Sequence, residues 1–340
     1  MSENISDHRV EPLLKVENLK VDFASVDDRI HVLNGVSFNV NRGEIVGIVG
    51  ESGSGKTTLG LAILSLLDSP PAEIVGGSMI FEDKDLLKLD PKELSLLRGT
   101  GMNMVFQESL IALNPVYRVE SQIGESLEVL STSKGVKMEK EEKMEQMLTV
   151  LKQLCLDKPE IVLKKYPHEL SGGMRQRVSI AMSIVQTPKL LILDEPTTGL
   201  DAYVQNRILR IIKKLNRNFG LSMVLITHDL TVASQICDRI YVMYAGQVLE
   251  VGKSEEILEH PLHPYSETLL EALPSGFADS GPLSVPAGEP PDLKHLPSGC
   301  RFHPRCPYVM ELCKKEDPRL YEAGGTGQRL VACWKYDRRE

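Results

Sequence analysis

The stretch Gly50-Glu51-Ser52-Gly53-Ser54-Gly55-Lys56-Thr57-Thr58 brings three glycines, a lysine and several hydroxyls together. Glycines at these spacings let the backbone fold tightly, so that its N–H groups point inward at an anion. The helix that follows adds its positive N-terminal end. Lys56 is then placed to meet the β- and γ-phosphates of a nucleotide, and the Thr57 hydroxyl to ligate Mg²⁺. Much later, Leu190-Leu191-Ile192-Leu193-Asp194-Glu195 is an apolar run that ends in two carboxylates. Asp194 can hold Mg²⁺ through water, and Glu195 can polarise an attacking water. Alone, such a pair is an ordinary solvated strand end; its order after a phosphate loop favours the chemistry. Between the two lies Leu170-Ser171-Gly172-Gly173, where a serine opens a helix and two glycines allow close approach to a phosphate.

These residues need a scaffold. Residues 13–24 and 31–40 largely alternate apolar and polar, which predicts antiparallel strands with one wet face. Glu44 to Val49 is a short apolar run leading into the glycine loop, and Thr57 to Leu67 reads as the helix after it. Residues 102–106, 189–194 and 221–226 are continuous apolar runs, the pattern of buried parallel strands. Met144, Met147, Leu148, Leu151 and Leu154 fall at helical spacing, as do Val204, Ile208, Ile211, Ile212 and Leu215. Segment 134–146 reads as an exposed, charge-rich helix face. A hairpin is predicted around Ala245-Gly246, with helix from about residue 255. Residues 274–299, rich in Pro, Gly and Ser, read as a linker or ordered loop.

The chain has 340 residues, 42% hydrophobic and 25% charged, enough for a sizeable core and two domains. Its net charge of −8 argues against nucleic acid as the main partner. No run is long and apolar enough to span a membrane. Met1 to Glu11 is polar and acidic, unlike a secretory signal. Of the six cysteines, Cys155 and Cys237 sit in apolar, helix-like contexts and read as buried thiols. Cys300, Cys306, Cys313 and Cys333 crowd the C-terminal region. In a cytosolic chain that points to metal rather than disulfides. The spacing C-x5-C-x6-C-x19-C is neither a zinc knuckle nor a ferredoxin run, and four thiolates suit either tetrahedral Zn²⁺ or a 4Fe–4S cluster. His303 reads as a bystander, and Arg301 and Arg305 as surface arginines rather than counter-charges to a cluster.

With the loop, the carboxylates and LSGGMRQR at 170–177 in order, the chain resembles an ATP-binding cassette (ABC) ATPase over residues 13–265. Met174 stands where glutamine is usual in the signature. The resemblance implies an α/β P-loop NTPase fold of ABC type. It comprises a RecA-like core with a parallel sheet, an antiparallel β subdomain and a helical signature subdomain, plus a small Cys-rich C-terminal extension. It places the nucleotide-binding domain at 13–265, with the helical subdomain inserted at about 108–182, and the extension with its four-Cys metal site at 266–340. It implies that Ser171, Gly172 and Gly173 close on ATP held by the other subunit of a dimer. Gln107 matches the loop that touches Mg²⁺ or water, Asp201 the D-loop, and His228 the γ-phosphate sensor. Phe23 stands where an aromatic stacks on adenine, although it also reads as a strand core residue.

Three further stretches narrow the match: SLIALNPVY at 109–117, HPLHPYSETLLEALP at 260–274, and GCRFHPRCPYVMELCKKEDP at 299–318 with VAC at 331–333. Nearly the full length resembles the ATP-binding subunit of dipeptide/oligopeptide importers. The resemblance implies a heterodimer with a second ATPase subunit, two membrane permease subunits, an external substrate-binding protein acting indirectly, and a peripheral place at the cytoplasmic face of the membrane. It tips the cysteines toward a 4Fe–4S cluster, with Zn²⁺ as the alternative. Related importers carry oligosaccharides or nickel. A soluble ABC ATPase acting on DNA or the ribosome is the reading from another class, and the acidic single cassette argues against it.

Overall fold

The structure, a computed structural model, describes residues 11–25, 28–107, 112–272, 288–324 and 329–337. Most of the expected linker at 274–299 and the start of the 109–117 stretch therefore lie outside the described residues. Two sheets dominate. The smaller is antiparallel, in the order β2-β1-β4-β5, from β1 (Leu14–Ala24), β2 (Arg29–Val40), β4 (Ala72–Phe81) and β5 (Lys84–Asp85). The alternation read at 13–24 and 31–40 is seen in β1 and β2, whose buried residues face one core.

The larger sheet runs β11-β12-β10-β9-β3-β8-β7-β6. Its centre is parallel: β9 (Arg239–Tyr244), β3 (Ile45–Val49), β8 (Ser222–Thr227), β7 (Leu190–Asp194) and β6 (Met102–Val105). Every residue of β3, β7 and β8 is buried, which is why their sequences are continuously apolar rather than alternating. β10 (Gln247–Lys253) returns from β9 through Ala245 and Gly246, both at positive φ, the turn a two-residue hairpin favours.

Helices cover the sheet. They are α1 (Lys56–Ile63), α2 (Pro91–Thr100), α3 (Val119–Lys134), α4 (Lys140–Gln153), α5 (Pro159–Leu163), α6 (Gly172–Ile184), α7 (Ala202–Phe219), α8 (Leu230–Ile236), α9 (Ser254–Glu259) and α10 (Pro264–Glu271). α7 buries Ile208, Ile211, Ile212 and Leu215 of the predicted stripe, with Leu209 beside them, while Val204 is only partly buried. Segment 134–146 is not one helix face. Gly135, at φ 64, stops α3, and α4 starts afresh at Lys140. Cys237 is buried, as expected, but Cys155 is partly exposed just past α4. Among the described residues no helix is long and apolar enough to cross a membrane.

The cysteine-bearing end of the chain does not stand apart. β11 (Tyr321–Glu322) and β12 (Leu330–Val331) extend the large sheet through β10, pairing Val331 with Glu250. Phe302 packs edge-on to Tyr244 of β9, their centroids 5.4 Å apart, and lies 5.4 Å from Tyr265 of α10. Beneath them Glu250 is fully buried. Its carboxylate accepts from Arg329 at 2.8 Å and from the N–H groups of Leu262 and His263 at 3.0 and 2.9 Å. Removing one member of a buried ion pair strands the other charge. Arg329→Ala is therefore expected to lower stability by about 3–5 kcal/mol. Chemical denaturation at neutral pH checks this, and native stability in the variant would show that the pair does not fasten the extension.

Candidate active site

The phosphate loop follows β3, a parallel strand flanked by β9 and β8, and leads into α1. Its glycines are required by contact and by conformation. A Cβ on Gly50 would lie 2.0 Å from the Met243 carbonyl oxygen. Gly53 and Gly55 hold φ of +79° and +95°, a region that side chains disfavour. Gly55 occupies the N-cap of α1 and supplies no side-chain acceptor, which leaves the first-turn N–H groups for an anion. Lys56 is buried and folded back on the loop. Its Nζ donates to the carbonyl oxygens of Gly50 (2.7 Å) and Glu51 (2.8 Å) and to Ser54 Oγ (3.3 Å). Burial pulls its proton affinity down, opposed by the negative charges of Glu195, Asp194 and Glu51.

The carboxylates stand on the next strands. Asp194 ends β7 almost fully buried, and its Oδ1 accepts from the Thr57 hydroxyl at 3.3 Å. Burial pushes its carboxyl up to about 6; the Thr57 hydrogen bond opposes this, the Glu195 charge adds to it, and Lys56 opposes it. Glu195 sits at φ +45°, a strained backbone for a long side chain and a feature that clusters at functional sites. Its Oε2 accepts from the Thr198 hydroxyl at 2.6 Å and from His228 Nδ1–H at 3.0 Å. His228 follows β8 and is exposed; Gln107 lies two residues beyond β6 and is also exposed. The parallel order β3-β8-β7-β6 delivers Lys56, His228, Glu195 and Gln107 to one carboxyl edge. Thr57 and Asp194 give paired oxygen donors that fit a hard cation such as Mg²⁺. Thr58 is partly buried on α1, and Ser52 is exposed at the loop's crest.

The remaining candidates lie elsewhere. Ser171 caps α6, its Oγ accepting from the Met174 N–H at 3.4 Å, and Asp201 caps α7 through the Val204 N–H at 2.9 Å. A Cβ on Gly173 would meet Val204 Cγ1 at 2.5 Å, so this signature glycine is used within the chain to seat α6 on α7. Phe23 lies near the end of β1, partly exposed and packed on the smaller sheet's core. A cavity of about 780 Å³ is lined by Leu130, Val150, Leu215 and Phe219 among others and by none of these candidates.

Cys300, Cys306, Cys313 and Cys333 line one narrow cavity with His263, Phe302 and Trp334. Burial pushes the Cys300 thiol up to about 12 and raises those of Cys306 and Cys333. Among the described residues no three His, Cys, Asp or Glu side chains are arranged to hold a metal ion. Neither the zinc nor the 4Fe–4S reading of the four cysteines is supported by this arrangement. Arg301 and Arg305 are not surface arginines. Arg301 is 5% exposed and donates to the Ala245 carbonyl, while Arg305 pairs with Glu51 of the phosphate loop. The sequence reading leaves Thr198 and Tyr265 outside the site and takes Arg305 for a surface arginine. Thr198 adjoins the carboxylates in sequence, but nothing local marks the other two.

The sequence pattern of the family described as "ABC transporter" matches residues 33–198, and that of the "Oligopeptide/dipeptide transporter, C-terminal region" matches residues 249–313. The oligopeptide transport ATP-binding protein of Salmonella typhimurium is 43% identical over 95% of this chain and 93% of its own. The chain belongs to the ABC transporter ATP-binding family. The dipeptide transport ATP-binding protein of Bacillus subtilis is 39% identical over 97% of this ABC subunit and 96% of its own length. A dimeric bacterial ABC transporter cassette superposes with a TM-score of 0.63 at 29% identity, covering 71% of this chain and 98% of that one. The same cassette, in a post-hydrolysis state bound to ADP and Pi, gives the same score. This chain is an ABC-type ATPase.

Gly50→Ala forces the loop off the Met243 carbonyl. It is expected to cost about 1–3 kcal/mol of stability, as overpacking does, and to weaken ATP binding. Thermal unfolding and nucleotide titration of the variant check both; unchanged binding would show that the loop does not need its present path.

Proposed function

We propose that this ABC ATPase energises import of di- and oligopeptides through a membrane importer. The observation that carries the hydrolytic part is the linked set at one sheet edge: Glu195 bonded to His228 and Thr198, beside Asp194 bonded to Thr57 and close to Lys56. The peptide part is supported by the relatives' names and by the match at 249–313.

In this reading the loop N–H groups and Lys56 bind the β- and γ-phosphates, Lys56 exchanging its loop carbonyl partners for phosphate oxygens. Thr57, Asp194 and Gln107 would hold Mg²⁺, which when bound neutralises phosphate charge. Glu195 orients the attacking water and takes its proton, and His228 fixes the Glu195 carboxylate while facing the γ-phosphate. Phe23 stacks on adenine. Ser171, Gly172, Gly173 and Asp201 belong to the face that meets a second, homologous ATPase subunit. The pair works beneath two permease subunits at the cytoplasmic side of the membrane, and an external binding protein delivers the peptide. The cassette spans 13–265, with its helical part at about 108–182, and the extension spans 266–340.

Glu195→Gln keeps the side chain's shape and removes its basicity. Turnover is expected to fall about 10²–10⁴-fold with ATP affinity within a few fold of native. Steady-state ATPase assays on the reconstituted complex, together with nucleotide titration, decide it; undiminished turnover would remove Glu195 from the role of base.

The iron–sulfur reading of the four cysteines is a finer part of the proposal. It rests on four thiols, three from the 299–318 stretch and one from beyond β12, that line one cavity. A 4Fe–4S cluster takes one thiolate at each iron, so its ligands need not converge on one atom. Protein purified without oxygen is expected to carry about four irons and four acid-labile sulfides per chain. One zinc would make the site a zinc staple, and neither metal would leave four structural thiols.

A further inference from the structure

We infer that Arg305, beside the cysteine cavity, is a positioning residue for the phosphate loop, setting the affinity for the nucleotide's phosphates. The inference rests on reading that loop as the ATP site. Arg305 grips Glu51 with both ends of its fork, Nη1 to Oε2 at 2.8 Å and Nη2 to Oε1 at 3.1 Å, and its Nη1 also reaches Tyr244 Oη at 3.3 Å. The Arg305 side chain is 5% exposed and that of Glu51 22%, so this is a shielded bidentate pair and not a screened surface one.

Glu51 is the second residue of the loop and carries its only acidic side chain. A carboxylate there repels incoming phosphate and competes with it for Lys56, whose proton affinity Glu51 already raises. Arg305 answers both problems. It neutralises the charge and holds the carboxylate toward the C-terminal extension. The backbone of Glu51 is pinned at the same time, its N–H donating to Tyr265 Oη at 2.8 Å and its carbonyl accepting from Lys56.

A second line of contact reaches the loop's other end. Arg301 donates to the Ala245 carbonyl, and the next N–H, that of Gly246, donates to the Ser54 carbonyl at 3.0 Å. Pro290, Pro291 and Leu293 line a narrow crevice with Glu51, Ser52, Gly53 and Ser54. The segment from 290 to 305 thus backs the loop along its length. Arg305 is the member that acts by charge.

The test measures binding of a fluorescent ATP analogue with Mg²⁺ to the full-length chain, with thermal unfolding recorded for each variant. Arg305→Ala is expected to weaken binding about tenfold, the scale of a charge-assisted hydrogen-bonded pair. Arg305→Lys, which keeps the charge and loses the fork, is expected to restore part of that. The deciding comparison is made in Glu51→Gln, where no charge is left to neutralise. There Arg305→Ala is expected to change affinity by less than about twofold, since the two sites are coupled. Native affinity in Arg305→Ala overturns the inference, as does an equal tenfold loss in the Glu51→Gln background, which would make Arg305 a fastener of the extension only. If Arg305→Ala does not fold, the Arg305→Lys pair of comparisons carries the same decision. Failure of the native chain to bind Mg–ATP overturns the nucleotide reading and this inference with it, whereas native binding with an indifferent Arg305 overturns this inference alone.

Discussion

Lys56 is an ammonium group removed from water at the start of α1, and its neighbours offset only part of what burial costs it. Burial opposes the charge, while Glu195, Asp194 and Glu51 favour it. The same proximity disfavours the carboxylates' crowding, and Asp194 is pushed up to about 6 by burial, with Glu195 adding to the shift. Such an arrangement persists only when rigid elements over-determine it. Here they do: β3, β7 and β8 are buried on both faces and hydrogen-bonded in register, Val49 against Thr227 and Asp194 against Ile226. Glu195 tolerates a left-handed backbone because its N–H is held by the Ile226 carbonyl and its carboxylate by Thr198 and His228.

The sheet fixes the loop from the front, and the C-terminal extension fixes it from behind. The ring cluster of Tyr244, Tyr265 and Phe302 joins β9, α10 and the cysteine segment in one buried contact. Its two tyrosines turn their hydroxyls to the loop side, Tyr265 to the Glu51 N–H and Tyr244 to Arg305. A tail of short 3₁₀ turns and two-residue strands has too little apolar surface to fold by itself. It acquires its order from this cluster, from the Glu250–Arg329 pair, and from the edge of the large sheet.

What was legible in the sequence follows from periodicity. Continuous apolar runs gave β3, β7 and β8, alternation gave β1 and β2, and glycine spacing gave the phosphate loop with its flanking strand and helix. β4 went unread because Val75, Gly76 and Gly77 break its alternation, Val75 being exposed. β11 and β12 are two residues each, too short to carry any period. The carboxyl-edge gathering of Lys56, Glu195 and His228 was legible from their order after apolar runs. The burial of Arg301 and Arg305 was not. An arginine beside cysteines in a proline-rich tail has the composition of a surface residue, and only the chain's return across 254 positions brings Arg305 to Glu51.

The signature glycines show how one residue type can serve two demands at once. A glycine near a helix start allows close approach, but the surface approached inside this chain is α7: Gly173 admits Val204, and Gly172 sits against Leu200. Ser171 and Asp201 cap the two helices at that junction. Because the caps and the glycine contact lie within one turn of each helix start, α6 and α7 begin as a single block. Asp201 in turn stands six residues from Glu195, in a segment tied to that carboxylate by the Thr198 hydroxyl.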